Sequence, residues 1–309
     1  MRGGSSQGAA PTGPLFGGSV RTTSLFKPTG IPRGMNPLHP LYQGCLYFAW
    51  DTGLGYYVVL RDCFPGHGIY KPLLYNAAGQ PGGGAFTNGT LPPVSAYRWG
   101  QASKWVNSAG FSPNYATVTS YIWSGTANDT FRQVQDLRNL GTGAACSIVG
   151  CYMKAGGSAS GVVCGRVIPE ATPYFVLASD NSNDKMTGGW YDGSAGHSLT
   201  STTSLVTGAV NVSALTAYNT SAGVSTLDLI HNGVVEATST GQTVADLGVD
   251  SGAEQEEGQF NIGQFNHLTA NHADIAWEGA VPWVGMFNRR IRAAEIAFTR
   301  AAPFNVVIW

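Results

Sequence analysis

The dipeptide Asn232-Gly233 constrains the fold of this chain more than any other short sequence in it. Asn-Gly readily takes the two positive φ angles of a type I′ turn, and here it follows an apolar stretch, 227–231, that alternates with period two. The same alternation is present at 210–216, so both stretches are predicted to be half-buried antiparallel strands. Residues 292–300 form a short amphipathic pattern. We therefore predict antiparallel β structure followed by one short helix.

The low content of charged residues limits the function classes that fit. Of 309 residues, only 11 % are charged, far below the roughly 25 % of average soluble domains, and the net charge is −1. A chain without a basic field is not expected to bind nucleic acid. No run of about 18 apolar residues is present, so no membrane span is predicted. Low charge together with abundant Gly, Ser and Thr is typical of many short strands and of proteins buried in large assemblies.

The odd number of cysteines argues against a secreted disulfide scaffold. The five are Cys45, Cys63, Cys146, Cys151 and Cys164. Four residues separate Cys146 from Cys151, but no further Cys/His pair follows at zinc spacing, so we predict no zinc site. We expect reduced, mostly buried thiols in a protein that is assembled in a cytosol.

Residues 1–35 form a distinct segment that is rich in Gly, Ser and Pro and contains no acidic residue. Such a composition buries too little apolar surface to offset the entropy of ordering, so we expect an extended basic arm that neighbouring chains hold in place. The candidate anchors are its apolar and basic side chains: Leu15, Phe16, Leu25, Phe26, Arg21 and Arg33.

The remainder, 36–309, is predicted to be one domain. Turn signals recur every 8–14 residues or so, which is the spacing of an all-β sandwich. The region of about 125–145 interrupts this rhythm, and we interpret it as an insertion with a short helix. Pro282 lies within an apolar run, 278–287, and predicts an edge strand or a bulge there. The apolar segment 304–309 is expected to pack on the sandwich or on a neighbouring chain.

The order of these signals resembles a laminin-G-like, concanavalin-A-type jelly-roll domain of the type found in phage structural proteins. The segments that carry the resemblance are Ala214-Leu-Thr-Ala-Tyr218, Leu229-Ile-His-Asn-Gly-Val-Val235, Phe260-Asn-Ile-Gly263, Met286-Phe-Asn-Arg289 and Ala293-Ala-Glu-Ile296. Asn36-Pro-Leu-His-Pro-Leu-Tyr-Gln-Gly-Cys-Leu46 is similar to an opening common in viral members, and Asp62-Cys-Phe-Pro-Gly-His-Gly68 to their following turn. The resemblance covers nearly all of 36–302, with a poor match at 90–145.

The resemblance implies a two-sheet antiparallel jelly-roll sandwich with a short helix near its end. Asn232-Gly233 fits the hairpin of that family, and Trp277, Trp283 and Phe287 fit its core. Arg289 and Glu295 are expected to pair across the junction between the last strand and the helix, where they would hold the helix and not perform chemistry.

Glycosidase activity is the enzymatic hypothesis for this fold class. Retaining members carry two acids on one strand in the pattern Glu-x-Asp-x-x-Glu, so that both carboxylates face the sugar. The nearest segment here contains His272, Asp274 and Glu278, and histidine stands where the nucleophile is needed. We therefore predict that the chain is not an enzyme.

Two binding hypotheses remain open. Calcium, which takes hard oxygen ligands, is an alternative to a plain solvated loop at one acidic cluster: Asp246, Asp250, Glu254, Glu256 and Glu257. No other cofactor is predicted. Exposed aromatic side chains would bind a glycan, and the candidates are Trp190, Tyr191, Trp105 and Trp123; the alternative is that these rings belong to the core or to an interface.

The sequence favours a non-enzymatic structural protein of a virion, such as a capsid decoration (cement), head or tail component. Its partners would be other virion proteins, including copies of itself, and it would be assembled in the host cytoplasm. The arm, the low charge, the odd cysteine count and the viral-type opening motivate this hypothesis. The alternative is a glycan-binding adhesion module of a secreted or cell-surface protein, with host surface glycans as ligands.

Overall fold

The structure, a computed structural model, describes part of the chain. The described ranges are 30–51, 57–62, 72–73, 122–123, 137–154, 161–166, 175–180, 184–245, 260–262, 277 and 279–309. The arm up to residue 29, the first part of the predicted insertion and most of the stretch between 63 and 136 lie outside them.

The described residues are mainly β-strands. In chain order these are β1 (Gly34–Met35), β2 (Cys45–Asp51), β3 (Tyr57–Asp62), β4 (Pro72–Leu73), β5 (Ile122–Trp123), β6 (Ala145–Lys154), β7 (Gly161–Arg166), β8 (Phe175–Asp180), β9 (Lys185–Tyr191), β10 (Gly196–Ser204), β11 (Val210–Ser221), β12 (Val224–His231), β13 (Val234–Gln242), β14 (Phe260–Ile262), β15 (Gly279–Phe287) and β16 (Val307–Ile308). One α-helix, α1 (Ala293–Ala301), and two 3₁₀ turns, Pro40–Tyr42 and Leu137–Asn139, accompany them in the described ranges.

The strands form two large antiparallel sheets. One has the order β13-β12-β11-β6-β15-β2-β3-β4, and the other has the order β10-β9-β8-β7-β14-β5. Among the described strands, the chain changes sheet six times: from β4 to β5, β5 to β6, β6 to β7, β10 to β11, β13 to β14 and β14 to β15. β2 lies beside β15 although the two strands are far apart in sequence. This is the two-sheet jelly-roll sandwich that the sequence predicts.

The turn at Asn232-Gly233 has the geometry expected of it. Asn232 has a φ of 52° and Gly233 a φ of 92°, and the turn joins β12 to β13 as an antiparallel hairpin. Gly233 is also required by packing, since an added Cβ would lie 2.5 Å from the Cβ of Ala297 on α1. The hairpin and the helix are therefore in direct contact.

Pro282 lies in a central strand and not at an edge. β15 pairs with β6 on one side and with β2 on the other. The register with β6 shifts between Ala280 and Trp283, which places the proline in a bulge where no ladder hydrogen bond needs its missing N–H. Of the two alternatives that the sequence left open, the bulge is confirmed.

Of the insertion predicted at about 125–145, the structure describes 137–145, which contains a short 3₁₀ turn and the first residue of a strand. Leu137–Asn139 forms a 3₁₀ turn, and β6 begins at Ala145, the last residue of the region assigned to the insertion. The side-chain amide of Asn219 donates to the carbonyls of Leu137 and Leu140 and fixes this turn on β11.

The described residues contain no helix long and apolar enough to cross a membrane.

A third layer covers the outer face of the eight-stranded sheet. It consists of 30–42 and 290–309, which contain β1, the turn Pro40–Tyr42, α1 and β16. β1 pairs with β16, so the two segments form one small sheet. The inner face is identified by Gly150 and Gly188, whose added Cβ atoms would lie 2.7 Å from Val163 and Leu215 of the opposite sheets.

Large aromatic side chains join the third layer to the sheet. Trp50 and Trp283 are cross-strand partners and are both fully buried. The indole Nε1 of Trp283 donates to the carbonyl of Pro303 at 2.7 Å. Trp50 meets Phe304 and Trp309 edge-on, with ring centroids 6.2 and 5.9 Å apart. The apolar segment 304–309 therefore packs on the sandwich of its own chain.

Candidate functional site

The glycan candidates Trp190 and Tyr191 lie at the end of β9 and face opposite ways. Trp190 shares a face with Gly188, which contacts the opposite sheet, so its ring points into the sandwich and is 2 % exposed. It stacks on His197 with centroids 5.2 Å apart. A buried ring offers no stacking platform to a sugar, and the burial of Trp190 places it in the core. Tyr191 is half-buried on the outward-facing side.

The turn after Tyr191 is built around one carboxylate. Oδ1 of Asp192 accepts hydrogen bonds from the backbone N–H groups of Ser194 and Ala195 at 2.6 and 2.7 Å. Oδ2 of Asp192 lies 2.6 Å from Nε2 of His197, which is itself partly exposed. The hydrogen bond from His197, followed by those from the turn, holds the pKa of Asp192 well below its usual range. The result is a rigid, ionised carboxylate beside a partly exposed tyrosine.

Most of the other predicted site residues lie outside the described residues. These are Trp105, the arm residues Leu15, Phe16, Arg21, Leu25 and Phe26, the acidic cluster Asp246, Asp250, Glu254, Glu256 and Glu257, and His272, Asp274 and Glu278. Trp123 lies in β5, but its side chain is not described. Arg33 is exposed, and its backbone N–H donates to the carbonyl of Ile308 in β16. The described residues contain no cluster of His, Cys, Asp or Glu that could hold a metal ion.

The cysteines of the described ranges fit the prediction of buried thiols. Cys45, Cys146, Cys151 and Cys164 are all free and buried. Burial raises the pKa of Cys146 to about 12 and raises that of Cys164 further still. A thiol that stays protonated is a poor nucleophile and a poor metal ligand. Cys146 and Cys164 therefore contribute to packing, and Cys45 and Cys151 are buried in the same core.

A buried polar network that the sequence analysis missed lies between the sheets. Nδ1 of His231 is 2.8 Å from the Ser213 hydroxyl and 3.2 Å from the Tyr152 hydroxyl, and these two hydroxyls are 2.8 Å apart. All three side chains are buried. Ser213 and His231 are paired across β11 and β12, so only the strand register reveals that they meet.

The protonation state of His231 follows from its neighbour Asn232. The amide oxygen of Asn232 accepts from the N–H of Val212 at 3.0 Å, so its Nδ2 is the atom that faces Nε2 of His231 at 3.1 Å. Nε2 must then accept, and Nδ1 carries the proton and donates to a hydroxyl. Burial lowers the pKa of His231 to about 4. A serine–histidine pair sealed from solvent in this way has no access to a substrate, and we assign it a structural role.

A second buried histidine lies in the third layer. Nδ1 of His39 accepts from the N–H of Leu41 at 3.1 Å and caps the turn Pro40–Tyr42. Its ring contacts Phe298 of α1, with centroids 5.5 Å apart, and Nε2 is buried without a hydrogen-bond partner. Burial, partly opposed by the charge of Glu295, lowers the pKa of His39 to about 4. His39 is therefore neutral at physiological pH.

The pairing of Arg289 with Glu295 is confirmed. The guanidinium donates to both carboxylate oxygens at 2.7 and 3.0 Å and to the carbonyls of Pro40 and Gln43. Glu295 also accepts from the N–H of Arg292 at the start of α1. The ion pair thus holds the helix at its junction with β15, as the sequence predicted, and Arg289 also attaches it to the turn that precedes β2.

Large apolar side chains are exposed mainly on the third layer. Of nine in the described residues, five belong to it: Ile31, Leu38, Phe298, Ile308 and Trp309. Leu38 is 92 % exposed and Phe298 is 57 % exposed. Val234 follows the glycine that touches α1 and adds a further exposed apolar side chain next to this layer. A concentration of this kind is typical of surfaces that bind another protein.

Comparisons with known proteins give structural likeness alone. No protein-family model matches the chain, and no curated protein sequence matches it significantly. The CBM40 of Ruminococcus gnavus IT-sialidase bound to α2,3-sialyllactose is 13 % identical with a TM-score of 0.41, over 52 % of this chain and 84 % of that one. A Trypanosoma rangeli sialidase in complex with 2,3-difluoro-KDN is 11 % identical with a TM-score of 0.45, and the match covers 89 % of this chain and 37 % of that one. A native heptameric SAP-like pentraxin from Limulus polyphemus is 12 % identical with a TM-score of 0.36, and the match covers 55 % of this chain and 79 % of that one.

Proposed function

We propose that this chain is a non-enzymatic structural protein that assembles with copies of itself through the exposed apolar face of the third layer. The observation that carries the proposal is the concentration of exposed large apolar side chains there, with Leu38 at 92 % and Phe298 at 57 % exposure. In a chain with so few charged residues, such a face is costly unless another protein covers it.

A virion is the assembly that we propose for it. The resemblance of the opening segment, 36–46, to viral jelly-roll domains supports this, as do the low charge and the predicted basic arm. The arm joins the folded part at the same layer, because Gly30 lies against Trp309. We propose that the arm and the third layer act together in contacts with neighbouring subunits.

Replacing Leu38 and Phe298 by serine should weaken self-association. Both side chains are mainly exposed, so the double variant should fold and should lose apolar contact area. A small loss of stability is expected, because the Phe298 ring also packs on His39. Sedimentation velocity of the full chain over a range of concentrations measures this. We expect concentration-dependent oligomers for the wild type and at least tenfold weaker association for the variant, since about 1.4 kcal/mol corresponds to a factor of ten.

Val206→Ser is the matched control. Val206 is 65 % exposed, but it lies in the connection between β10 and β11, outside the third layer. The Val206→Ser variant should associate as strongly as the wild type. A wild-type chain that stays monomeric at all concentrations, or a control that is as defective as the double variant, would contradict the proposal.

A glycan-binding module is the second candidate, and a specific observation favours it. Tyr191 is partly exposed at the end of β9, and the ionised carboxylate of Asp192 follows it in the next turn. An aromatic side chain and a fixed acceptor on neighbouring residues suit a sugar. Screening on a glycan array should then give signals that Tyr191→Ala abolishes. Uniform absence of binding would rule this candidate out without affecting the assembly proposal.

A further inference from the structure

The turn Asn232-Gly233 contains a chemically reactive pair of residues. Asparagine is among the thermolabile residues, because the backbone nitrogen that follows it can attack the side-chain Cγ and close a five-membered succinimide ring. Glycine hinders this attack least, since it has no Cβ and leaves the backbone free to rotate. The other Asn-Gly pair of the sequence, Asn88-Gly89, lies outside the described residues. The reactive pair at 232–233 therefore lies in the turn that joins β12 to β13.

Deamidation of Asn232 needs no reactant other than water. The Gly233 nitrogen attacks Cγ of Asn232, so that a new C–N bond forms and the bond from Cγ to Nδ2 breaks. Nδ2 leaves as ammonia and takes the proton of the Gly233 N–H with it. Water then adds to one of the two carbonyl carbons of the succinimide. Opening at one carbonyl gives aspartate, and opening at the other gives isoaspartate, whose main chain is longer by one methylene group.

The native backbone conformation of Asn232 keeps the two reacting atoms apart. Its φ of 52° lies in the left-handed region. In that conformation Cβ lies beside the carbonyl oxygen of its own residue. The Gly233 nitrogen is bonded to the same carbonyl carbon on the side opposite the oxygen, so it points away from Cβ and from Cγ. Ring closure therefore requires the peptide group between the two residues to turn over.

Hydrogen bonds to the end of β11 hold Asn232 in this conformation. Its N–H donates to the carbonyl of Val212 at 2.9 Å, and its Oδ1 accepts from the N–H of the same residue at 3.0 Å. Its Nδ2 donates to Oδ1 of Asn211 at 2.9 Å and lies 3.1 Å from Nε2 of His231. Both the backbone and the side-chain amide of Asn232 are thus fixed.

Gly233 is held in turn by helix α1. A Cβ placed on Gly233 would lie 2.5 Å from the Cβ of Ala297 and 2.7 Å from its Cα, so the backbone of the turn is packed directly on the helix. The peptide group between Asn232 and Gly233 therefore turns over only when the hairpin leaves both Val212 and α1. Deamidation of the folded chain has to wait for this local opening.

The products do not fit the native turn. Aspartate has an oxygen in place of Nδ2, and this oxygen would face Oδ1 of Asn211, so the bond between the two side chains is lost. Isoaspartate adds a methylene group to a connection of two residues between the paired His231 and Val234. The type I′ turn depends on exactly two residues with positive φ, so the longer main chain breaks its geometry.

We propose that Asn232 is a site of spontaneous deamidation that the native hairpin closes: it reacts in chains whose hairpin is open, and its isoaspartate product does not return to the native hairpin. A chain that stays unfolded is then converted with time to a form that no longer folds. Loss of ammonia makes this conversion one-way. The inference concerns the single chain and does not depend on self-association.

The rates of deamidation at Asn232 in the native chain and in the urea-unfolded chain test the closed state. Mass spectrometry of proteolytic peptides measures the reaction, with Asn88 in the same urea samples as the internal reference. We expect Asn232 to react at least tenfold more slowly in the native chain, because the reaction waits for the hairpin to open. A synthetic peptide of residues 228–237, measured in both solutions, corrects for any direct effect of urea on the chemistry.

Refolding of chains that have aged in urea tests the fate of the product. After dilution from urea, size-exclusion chromatography separates the folded chains from those that stay unfolded, and peptide mass spectrometry measures isoaspartate in both fractions. We expect isoaspartate at position 232 to be at least tenfold less abundant in the folded fraction, because it breaks the two-residue turn.

Two results would overturn the inference. A native rate less than tenfold below the corrected urea rate would show that the hairpin does not close the site. A depletion of isoaspartate smaller than tenfold in the folded fraction would show that the product re-forms the hairpin. Neither measurement uses a variant, so a failure to fold cannot imitate either result. Neither measures oligomers, so the proposed self-association is tested separately.

Discussion

The substitution Asp184→Asn is expected to lower the free energy of unfolding by about 3 kcal/mol, because it leaves a buried ammonium group without its counter-ion. The Lys154 side chain is 4 % exposed and forms an ion pair with Asp184, whose own side chain is 47 % exposed. Lys154 ends β6 in one sheet and Asp184 precedes β9 in the other. Asparagine suits this position, since Asp184 has a φ of 53°, which Asn tolerates.

Lys154→Met is the matched comparison for this ion pair. It removes the buried charge and leaves Asp184 half-exposed to water, so the stability should stay within about 1 kcal/mol of the wild type. The double variant should recover most of what Asp184→Asn loses. Urea denaturation followed by circular dichroism measures all three. A Lys154→Met variant that is as unstable as Asp184→Asn would contradict this explanation, in which only the Lys154 side of the ion pair is buried.

Trp283→Ala is the second substitution with a large expected effect, a loss of about 4 kcal/mol, because it removes a fully buried indole from the junction of the sheet and the third layer. Trp283 stacks on Phe48 with centroids 5.5 Å apart and donates to Pro303. Trp283→Phe should lose only about 1–2 kcal/mol, since it keeps most of the apolar contact but forfeits that hydrogen bond.

Urea denaturation followed by circular dichroism again gives both values without relying on tryptophan emission. The expected order of stability is wild type, then Trp283→Phe, then Trp283→Ala. Equal stability of the phenylalanine variant and the wild type would mean that the bond to Pro303 contributes nothing. A loss under about 1 kcal/mol in the alanine variant would mean that the third layer is not packed on this tryptophan.

Local signals in the sequence predicted several elements correctly. The Asn232-Gly233 hairpin, the helix near 292–300 and the pairing of Arg289 with Glu295 each depend on residues close together in the chain. Pro282 restricted β15 to two alternatives, and the register with β6 decides for the bulge.

The interior network could not be predicted, because it depends on strand register. Ser213, His231 and Tyr152 lie on three different strands, and a shift of one residue would turn them to opposite faces. The orientation of Trp190 likewise depends on which alternate residues of β9 face the core. Its neighbour Tyr191 faces outward, and nothing local tells which of the two enters the core.

The third layer was foreseen only in part. The apolar segment 304–309 and a short helix were both expected, but the sequence left open whether the segment packs on its own sandwich or on a neighbour. The pairing of β1 with β16 joins residues more than 270 positions apart, which no local pattern reveals. This layer determines which apolar side chains remain exposed, and hence where we place the assembly surface.

The central claim, that the third layer is the surface of self-association, is tested most directly by hydrogen–deuterium exchange at low and high protein concentration. We predict that protection increases with concentration in 36–42 and in α1, next to Leu38 and Phe298, and stays constant in β9 and β10 of the other sheet. Concentration-dependent protection confined to β9 and β10, or oligomers that leave 36–42 and α1 unchanged, would contradict the claim.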